Sequence, residues 1–395
     1  MEPNKHKNIE YILMHLDHPV LSFDVDKGLR IISINNIYDN KRIPISLFKN
    51  NTVEGYMLDD WFNARSISEK RTNFKDILKY HNARYKKELY FKDNSVSVCD
   101  CYWIQTPDEN KKWKDINFYN SFIDFNENIY IGIKEAKDKI IQDKEERRSP
   151  NIMSNGNVPK MWIQKNKELY LLKGSQGYTW EEPVNESIIS DYMDTLGIKH
   201  VQYSLDLLKN RPFSICKNML SNGEDLIPAY YVASLEENEE HQYTYNSYIE
   251  NCKKLGLGGN IKQELDQMLL LDYIISNIDR HWFNFGLIRD AETLQIKNIA
   301  PIYDNGLSLF ANEFTDDIKD KHTEVESASF LKYLKDNVSL VTDYSLLGHK
   351  NIDTLPDILK ETHEKLDMFE QNRIDIIAEC IGNNIKNITK KYPHK

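Results

Sequence analysis

Two short stretches hold the side chains best suited to chemistry, Asn277–Gly286 (NIDRHWFNFG) and Ala300–Gly306 (APIYDNG). Between them NFGLIRD and LQIKNIAPIYD read as strand-like runs joined by Ala291-Glu292-Thr293. Asp279 and Asn284, five positions apart, thus precede a predicted hairpin, and Asp304 stands at its end. Phosphoryl transfer calls for such a set. One carboxylate orients an attacking hydroxyl and takes its proton, while an amide oxygen and a second carboxylate hold Mg2+ on nucleotide phosphates. Taken singly, DRH reads as a solvated loop and YDNG as a type I′ turn. Their order, the long apolar helix before them and the Gly after each favour the chemical reading. His281 is open to two roles, direct catalysis and hydrogen bonding to the loop backbone, of which the second is the more ordinary.

The interval from Asp279 to Asn284 equals that between base and metal ligand in the protein-kinase catalytic loop. A nucleotide site also needs a cation on the phosphates. Lys173 ends the apolar run LYLLKG, so its side chain can emerge from a buried strand into a cleft. On the next predicted helix Glu186 shares a core-facing side with Ile189, Met193 and Leu196, where an unpaired carboxylate would be costly. Glu186 is therefore the expected partner of Lys173, against the plainer reading of a snorkelling strand-end lysine. Upstream, Ser154-Asn155-Gly156-Asn157-Val158-Pro159-Lys160 is a Gly-containing turn entering a strand, where a phosphate-covering loop would lie. It is neither a Walker A motif nor a GxGxxG loop. The predicted strand Ser214–Met219 places backbone groups of Cys216, Lys217 and Asn218 where they could pair with an adenine edge. The expected ATP-binding set is thus Lys173, Glu186, Ser154, Gly156, Lys160, Cys216 and Asn218. Asn284 and Asp304 are expected at the metal, and Asp279, His281 and Lys173 in catalysis.

The elements that must position these residues are legible in part. Lys160–Gln164 and Glu168–Lys173 read as strands either side of Asn166, Val184–Leu196 as a helix stopped by Gly197, and Val201–Leu205 and Ser214–Met219 as further strands. A long apolar helix over Ile261–Asn277 opens a helical part, and helix periodicity returns from Thr354-Leu355-Pro356 onward. Nearer the start, Val20–Val25 and Leu29–Ile34 flank Asp26-Lys27-Gly28 as a hairpin, with Asp and Gly to take the positive φ of a tight turn. A helix is predicted near Leu58–Leu78, where Trp61, Arg65 and Arg71 read as a core Trp beside solvated arginines, with an interaction surface as the rival reading. The charged run Lys134–Pro150 reads as a linker or exposed helix. The expected division is a companion domain over 1–133, a linker over 134–150, a small β-rich lobe over 151–222 and a helical lobe over 223–395.

Composition sets outer bounds. Among 395 residues, 51 Lys and Arg face 61 Asp and Glu, and the net charge of −10 disfavours nucleic acid as the main partner. Hydrophobic residues at 40% and aromatics at 11% are enough for real cores. Five cysteines without a CxxC pair suggest neither a disulfide framework nor a zinc site, and Cys99 and Cys101 are expected as buried thiols on one face of a β-like run. With no apolar leader and no long apolar run, the expected location is cytoplasmic and no membrane partner is expected.

The order SNGNVPK, LLKG, Asn185-Glu186, LDYIISNIDRHWFNFG and APIYDNG resembles the HipA-like kinases, serine/threonine kinase toxins and their bacterial relatives. Their DRHxxN arrangement is shared with phosphoinositide kinases. The resemblance covers roughly residues 150–345. It implies an α+β, two-lobed, protein-kinase-like fold, here with an additional N-terminal α+β domain. It further implies ATP and Mg2+ as cofactors, a protein Ser or Thr as acceptor, and an antitoxin or regulatory protein as a partner to look for. By the resemblance Asp279 would be the catalytic base, Asn284 and Asp304 the Mg2+ ligands, Lys173 the phosphate lysine, and Ser154 to Lys160 the phosphate loop. In that family a Ser of this loop can be autophosphorylated, which ejects the loop and inactivates the enzyme. Ser154 stands two before Gly156, and Met153 holds the place three before, where the family's Ser more often lies. The N-terminal 130 residues look like the companion domain of a clostridial-type branch. Two rivals stand beside this reading. One is a small-molecule or lipid kinase, since DRHxxN serves both groups; the acidic charge and the lack of a basic amphipathic helix weigh against a membrane lipid substrate. Against a nucleotide-binding pseudokinase acting through protein interaction stands the full set of Lys173, Asp279, Asn284 and Asp304.

Overall fold

The computed structural model describes residues 8–49, 51–121, 128–132, 148–177, 179–235, 244–318 and 325–393. Positions 134–147 of the expected linker lie outside the described residues. The chain forms two compact units from interleaved segments. The first takes residues up to 172 with 220–226 and 289–295, the second takes 173–219, 227–288 and 296–395.

In the first unit, alternating apolar residues build β1 (Ile9–His15), β2 (His18–Val25) and β3 (Ile31–Ile37). With β4 (Tyr102–Gln105) they form an antiparallel sheet in the order β3-β2-β1-β4, Leu13 lying opposite both Leu21 and Ile104. The β2–β3 turn is pinned by the Asp26 carboxylate, which accepts from the N–H groups of Gly28 (2.8 Å) and Arg30 (3.0 Å). Its left-handed residue is Leu29, φ 58°, rather than Asp26 or Gly28, because the side-chain bonds widen the turn beyond two residues.

The single helix expected over 58–78 is two, α1 (Gly55–Arg65) and α2 (Phe74–Tyr80), followed by α3 (Lys86–Lys92). Between α1 and α2 the Ile67 N–H is committed to Ile152 O (2.8 Å), and the Ser68 hydroxyl accepts from Lys70 N–H (3.2 Å), which draws the backbone away from helical bonding. Nor are the arginines solvated. Arg65 stacks on buried Trp61 at 4.3 Å and bonds Asp100 (2.8 Å), and Arg71 is buried.

Further along come α4 (Trp113–Ile116), β5 (Lys160–Lys165) and β6 (Glu168–Lys173), with Asn166 (φ 53°) and Lys167 (φ 67°) making the left-handed pair of the tight β5–β6 turn. Trp103, Trp113, Trp162 and Leu169 share one core cluster. Cys99 and Cys101 precede β4 instead of lying in a strand. Cys101 is buried and Cys99 half-buried, its thiol pushed by burial to about 11. The two inserted segments join the unit through Asp225, which accepts from Arg289 (2.7 Å), the His15 ring (3.0 Å) and Cys101 N–H (2.8 Å).

The second unit opens with α5 (Glu181–Leu196), closed by Gly197 at φ 66°. Its sequence reads as one apolar stripe, yet Glu181, Glu182, Asn185 and Glu186 are buried too, because each meets a partner; Glu181, for example, is held by Arg373 (2.7 Å). The antiparallel pair β7 (Tyr203–Leu208) and β8 (Arg211–Lys217) turns at Lys209 and Asn210, both left-handed, and sets Tyr203 opposite Cys216. Then follow β9 (Glu224–Pro228), α6 (Ala229–Ala233), α7 (Tyr245–Lys254) and the buried α8 (Ile261–Ile275). β10 (Gly286–Asp290) and β11 (Ile296–Ile299) complete a sheet in the order β11-β10-β9. After the short α9 (Thr315–Ile318) and α10 (Leu334–Asn337), α11 (Leu355–Leu366) packs against α12 (Gln371–Lys391), which also packs on α8. The result is a mixed α+β fold with several antiparallel pairings.

Candidate active site

Asp279 and Asn284 lie on the loop that joins α8 to β10. α8 stops at Ser276, whose backbone is left-handed (φ 54°). The loop then hangs from Asp272, which accepts from the side-chain Nδ2 of Asn277 (2.8 Å), while Asn277 Oδ1 accepts from Asp279 N–H (3.0 Å). Asn284 Nδ2 donates to Asp279 O (2.8 Å) and, at 3.4 Å, to Asp279 Oδ2. With the amide nitrogen so engaged, the Asn284 oxygen is the atom suited to a ligand role. His281 serves the loop's own backbone. Its N–H donates to Asp279 O (2.7 Å), its Nδ1 accepts from Phe283 N–H (3.2 Å), and its Nε2 is 3.9 Å from Asp279 Oδ2. Gly286, two residues on, is required by packing, since a Cβ there would collide with the carbonyl of Ile227.

Asp304 follows β11 and takes a left-handed backbone (φ 59°), which Asp tolerates better than most residues. Its N–H donates to the Tyr203 hydroxyl (3.2 Å). Asn185 of α5 fixes the segment beyond it, donating to Gly306 O (3.2 Å) and Ser308 O (2.7 Å). At the end of β6, the buried Lys173 ammonium donates to Glu186 and to Asp304 Oδ1 (2.5 Å). Glu186 is held in turn by the Ser214 hydroxyl. Burial works against the Lys173 charge, but Asp304 and Glu186 outweigh it and hold the pKa well above its ordinary value. Burial raises the pKa of Asp279, His281 opposes that shift, and the nearby Asp304 charge adds to it.

The residue the sequence reading passed over is Arg280, fully buried between the two loops. It donates to Asp272 (3.0 Å), to Asn284 O (3.0 Å), to Tyr303 O (2.6 Å) and to Asn305 Oδ1. One guanidinium therefore clamps the Asp279 loop and the Asp304 loop to the end of α8. The available signal was a lone Asp272 inside the apolar run LLLDYII, which needed a buried cation.

The structure thus brings together Lys173, Glu186, Asp304, Asp279, His281 and Asn284. Ser154, Gly156 and Lys160 belong to the first unit, where Ser154 is buried and Gly156 has φ 97°. Cys216 lies within β8, its buried thiol pushed up to about 12, and Asn218 follows the strand's last residue, Lys217. Chemically, the set offers a carboxylate able to take a proton, a buried cation, and two oxygen donors of the kind a hard divalent ion prefers. Among the described residues no group of three His, Cys, Asp or Glu side chains forms a ready-made metal cage. Asn284 and Asp304 instead fit an ion that keeps several of its ligands as water and phosphate oxygens.

No family model and no curated protein matches the sequence. Solved structures do match. HipA of Shewanella oneidensis, determined in a toxin–antitoxin complex with HipB and operator DNA, superposes with a TM-score of 0.51 at 10% identity, covering 96% of this chain and 97% of that one. The Helicobacter pylori proinflammatory kinase CtkA matches with a TM-score of 0.39 at 18% identity, covering 59% of this chain and 90% of its own. With nearly the full length of both chains aligned, this protein shares the α+β fold of HipA.

Proposed function

We propose that this protein is an ATP- and Mg2+-dependent phosphotransferase, a HipA-like kinase that moves the γ-phosphoryl group of ATP to a Ser or Thr hydroxyl of a protein. The observation that carries the reading is the convergence of Lys173, Glu186, Asp304, Asp279 and Asn284 around the Arg280 clamp. Asp279 takes the proton of the acceptor hydroxyl as its oxygen bonds to the γ-phosphorus and ADP leaves. Lys173, oriented by Glu186, meets the phosphates. Asn284 and Asp304 would hold Mg2+, which when bound supplies charge neutralisation on the phosphate oxygens. His281 is assigned to holding the loop. Ser154 to Lys160 are assigned to the phosphate loop, and Cys216 and Asn218 to the adenine edge.

The division into 1–133, a linker at 134–150, 151–222 and 223–395 is retained as a proposal, the first part being a companion domain. The HipA neighbour was determined with HipB and operator DNA. For this chain we propose a protein regulator and no direct role for nucleic acid. No described helix is long and apolar enough to cross a membrane, and we propose that the protein acts in the cytoplasm.

Incubation with γ-labelled ATP and a cell lysate, beside Asp279→Asn, tests the proposal. Label on Ser or Thr of a protein, absent with the variant, is expected. Label confined to lipid or a small molecule would move the acceptor class. Nucleotide binding without any transfer would overturn the reaction.

A further inference from the structure

Arg71 is a cation in an uncommon setting. It lies between α1 and α2 and is 3% exposed. Among the described residues it meets no carboxylate, and burial pulls its guanidinium down to about 9, still charged at neutral pH. Its partners are three consecutive backbone carbonyls: Nε donates to Gly156 O (2.8 Å), Nη2 to Ser154 O and, at 3.3 Å, to Asn155 O. The same segment grips the loop on both sides. Ile67 N–H donates to Ile152 O (2.8 Å), and the Ser68 hydroxyl donates to Asn157 Oδ1 (2.6 Å).

Peptide planarity turns these contacts into a statement about the opposite face. Among the described residues there are no cis peptide bonds, and in a trans peptide each C=O points away from the N–H of the following residue. Three carbonyls drawn onto one guanidinium therefore turn the N–H groups of Asn155, Gly156 and Asn157 to the other side. Gly156, at φ 97°, permits the backbone reversal this needs. Successive amides so turned form the concavity that binds anions. Asn155 and Asn157 are exposed, and the Gly156 N–H rests on the side-chain oxygen of Asn155 (2.6 Å). Lys160 adds charge, its ammonium lying so near Gly156 that a Cβ there would stand 2.5 Å from it.

We propose that Arg71 is the positioning residue that shapes the 154–157 loop into a cradle of amide donors for the phosphates of the nucleotide. A side chain of the N-terminal region thereby sets the protein's affinity for phosphates. The inference rests on the phosphotransferase reading for the identity of the anion, but the orienting role stands on the loop geometry alone.

The test compares wild type with Arg71→Met and Arg71→Lys, the second keeping charge but losing the fork that reaches three carbonyls. Amide hydrogen exchange reports the loop, and titration with ATP and with adenosine reports the site. In both variants exchange at the loop's anchor, the Ile67 N–H bonded to Ile152 O, should rise by about tenfold while α8 stays protected. ATP affinity should fall by about tenfold with adenosine affinity unchanged, because only ATP carries the anion. A merely structural Arg71 would weaken both ligands alike. Unchanged exchange at that anchor, or an unchanged ratio of ATP to adenosine affinity in a wild type that binds both, overturns the proposal. If wild type binds neither ligand, the nucleotide reading fails while exchange at the anchor still decides whether Arg71 orients the loop. Should Arg71→Met and Arg71→Lys fail to fold, Gly156→Ala carries the same comparison, since it strains the left-handed turn and drives a methyl into Lys160.

Discussion

Asp279 and Asp304 are two carboxylates of the candidate site for which different work is proposed, and their surroundings separate them. Asp279 lies among loop amides with its pKa raised by burial, whereas Asp304 is bonded to the Lys173 ammonium. Asp279→Asn should lower phosphoryl transfer by at least about 100-fold, as removal of a positioned base does, while ATP–Mg2+ affinity stays within a few fold. Calorimetry and turnover on the same preparation check this, and turnover at the wild-type rate would remove the base assignment. Asp304→Asn is a clean companion, because Asn also accepts the left-handed backbone at φ 59° and only the charge is lost. The Mg2+-dependent rise in Tm with ATP should shrink as affinity falls, along with turnover. A full shift retained would make Asp304 a turn residue only.

Elements carry these side chains through a few buried polar groups. Arg280 joins the end of α8 to the segments before β10 and after β11 through Asp272, Asn284, Tyr303 and Asn305. Arg280→Met leaves the Asp272 carboxylate buried without its cation, and denaturant unfolding should show a loss of about 3–5 kcal/mol. A loss under about 1 kcal/mol, the level of an exposed pair, would mean the clamp is not holding the loops. On α11, His363 is buried and its pKa is lowered to about 4, first by burial and then by the Arg373 charge. The unfolded chain, titrating near 6.5, therefore binds a proton that the folded chain refuses. Stability should fall as pH drops from about 6.5 and level off below about 4, by up to about 3 kcal/mol. His363→Gln removes the titration, so parallel pH–stability curves for wild type and variant would contradict the assignment.

At the scale of the whole molecule the proposed activity raises the question of how it would be turned off. Ser154 is 5% exposed, and its carbonyl is one of the three held by Arg71. A phosphate on its hydroxyl would bring roughly −1.5 to −2 charge beside that guanidinium and compete with the carbonyls for it, undoing the loop. The expected outcome is that wild type incubated with ATP acquires phosphate on Ser154 and loses activity as it accumulates, whereas Asp279→Asn alone stays unmodified. Mass spectrometry of the loop peptide decides, and an unmodified Ser154 in a preparation that remains active removes this switch.

Local chemistry was readable from residues alone where the cause is local. The stop of α5 at Gly197, the β5–β6 hairpin around Asn166 and the apolar run of α8 all follow from backbone preference and periodicity within a few residues. The spacing of Asp279 and Asn284 likewise lies within one loop, so their contact was implied by position. Where partners are remote, the sequence offered no address. Lys173 and Asp304 are 131 residues apart, and Arg71 reaches carbonyls 83 to 85 residues away. The break between α1 and α2 depends on Ile152 taking the Ile67 N–H, which no local pattern encodes. Charged side chains are hard to place for the same reason: Arg65 and Arg71 read as solvated and Arg280 draws no reading of its own, yet the fold supplies each with acceptors that make burial tolerable. The sequence by itself determined which residue types are available for the proposed phosphoryl transfer and which short elements carry them. Only the tertiary structure decided which charges face one another, because ion pairing in a low-dielectric interior depends on distances that chain separation does not set.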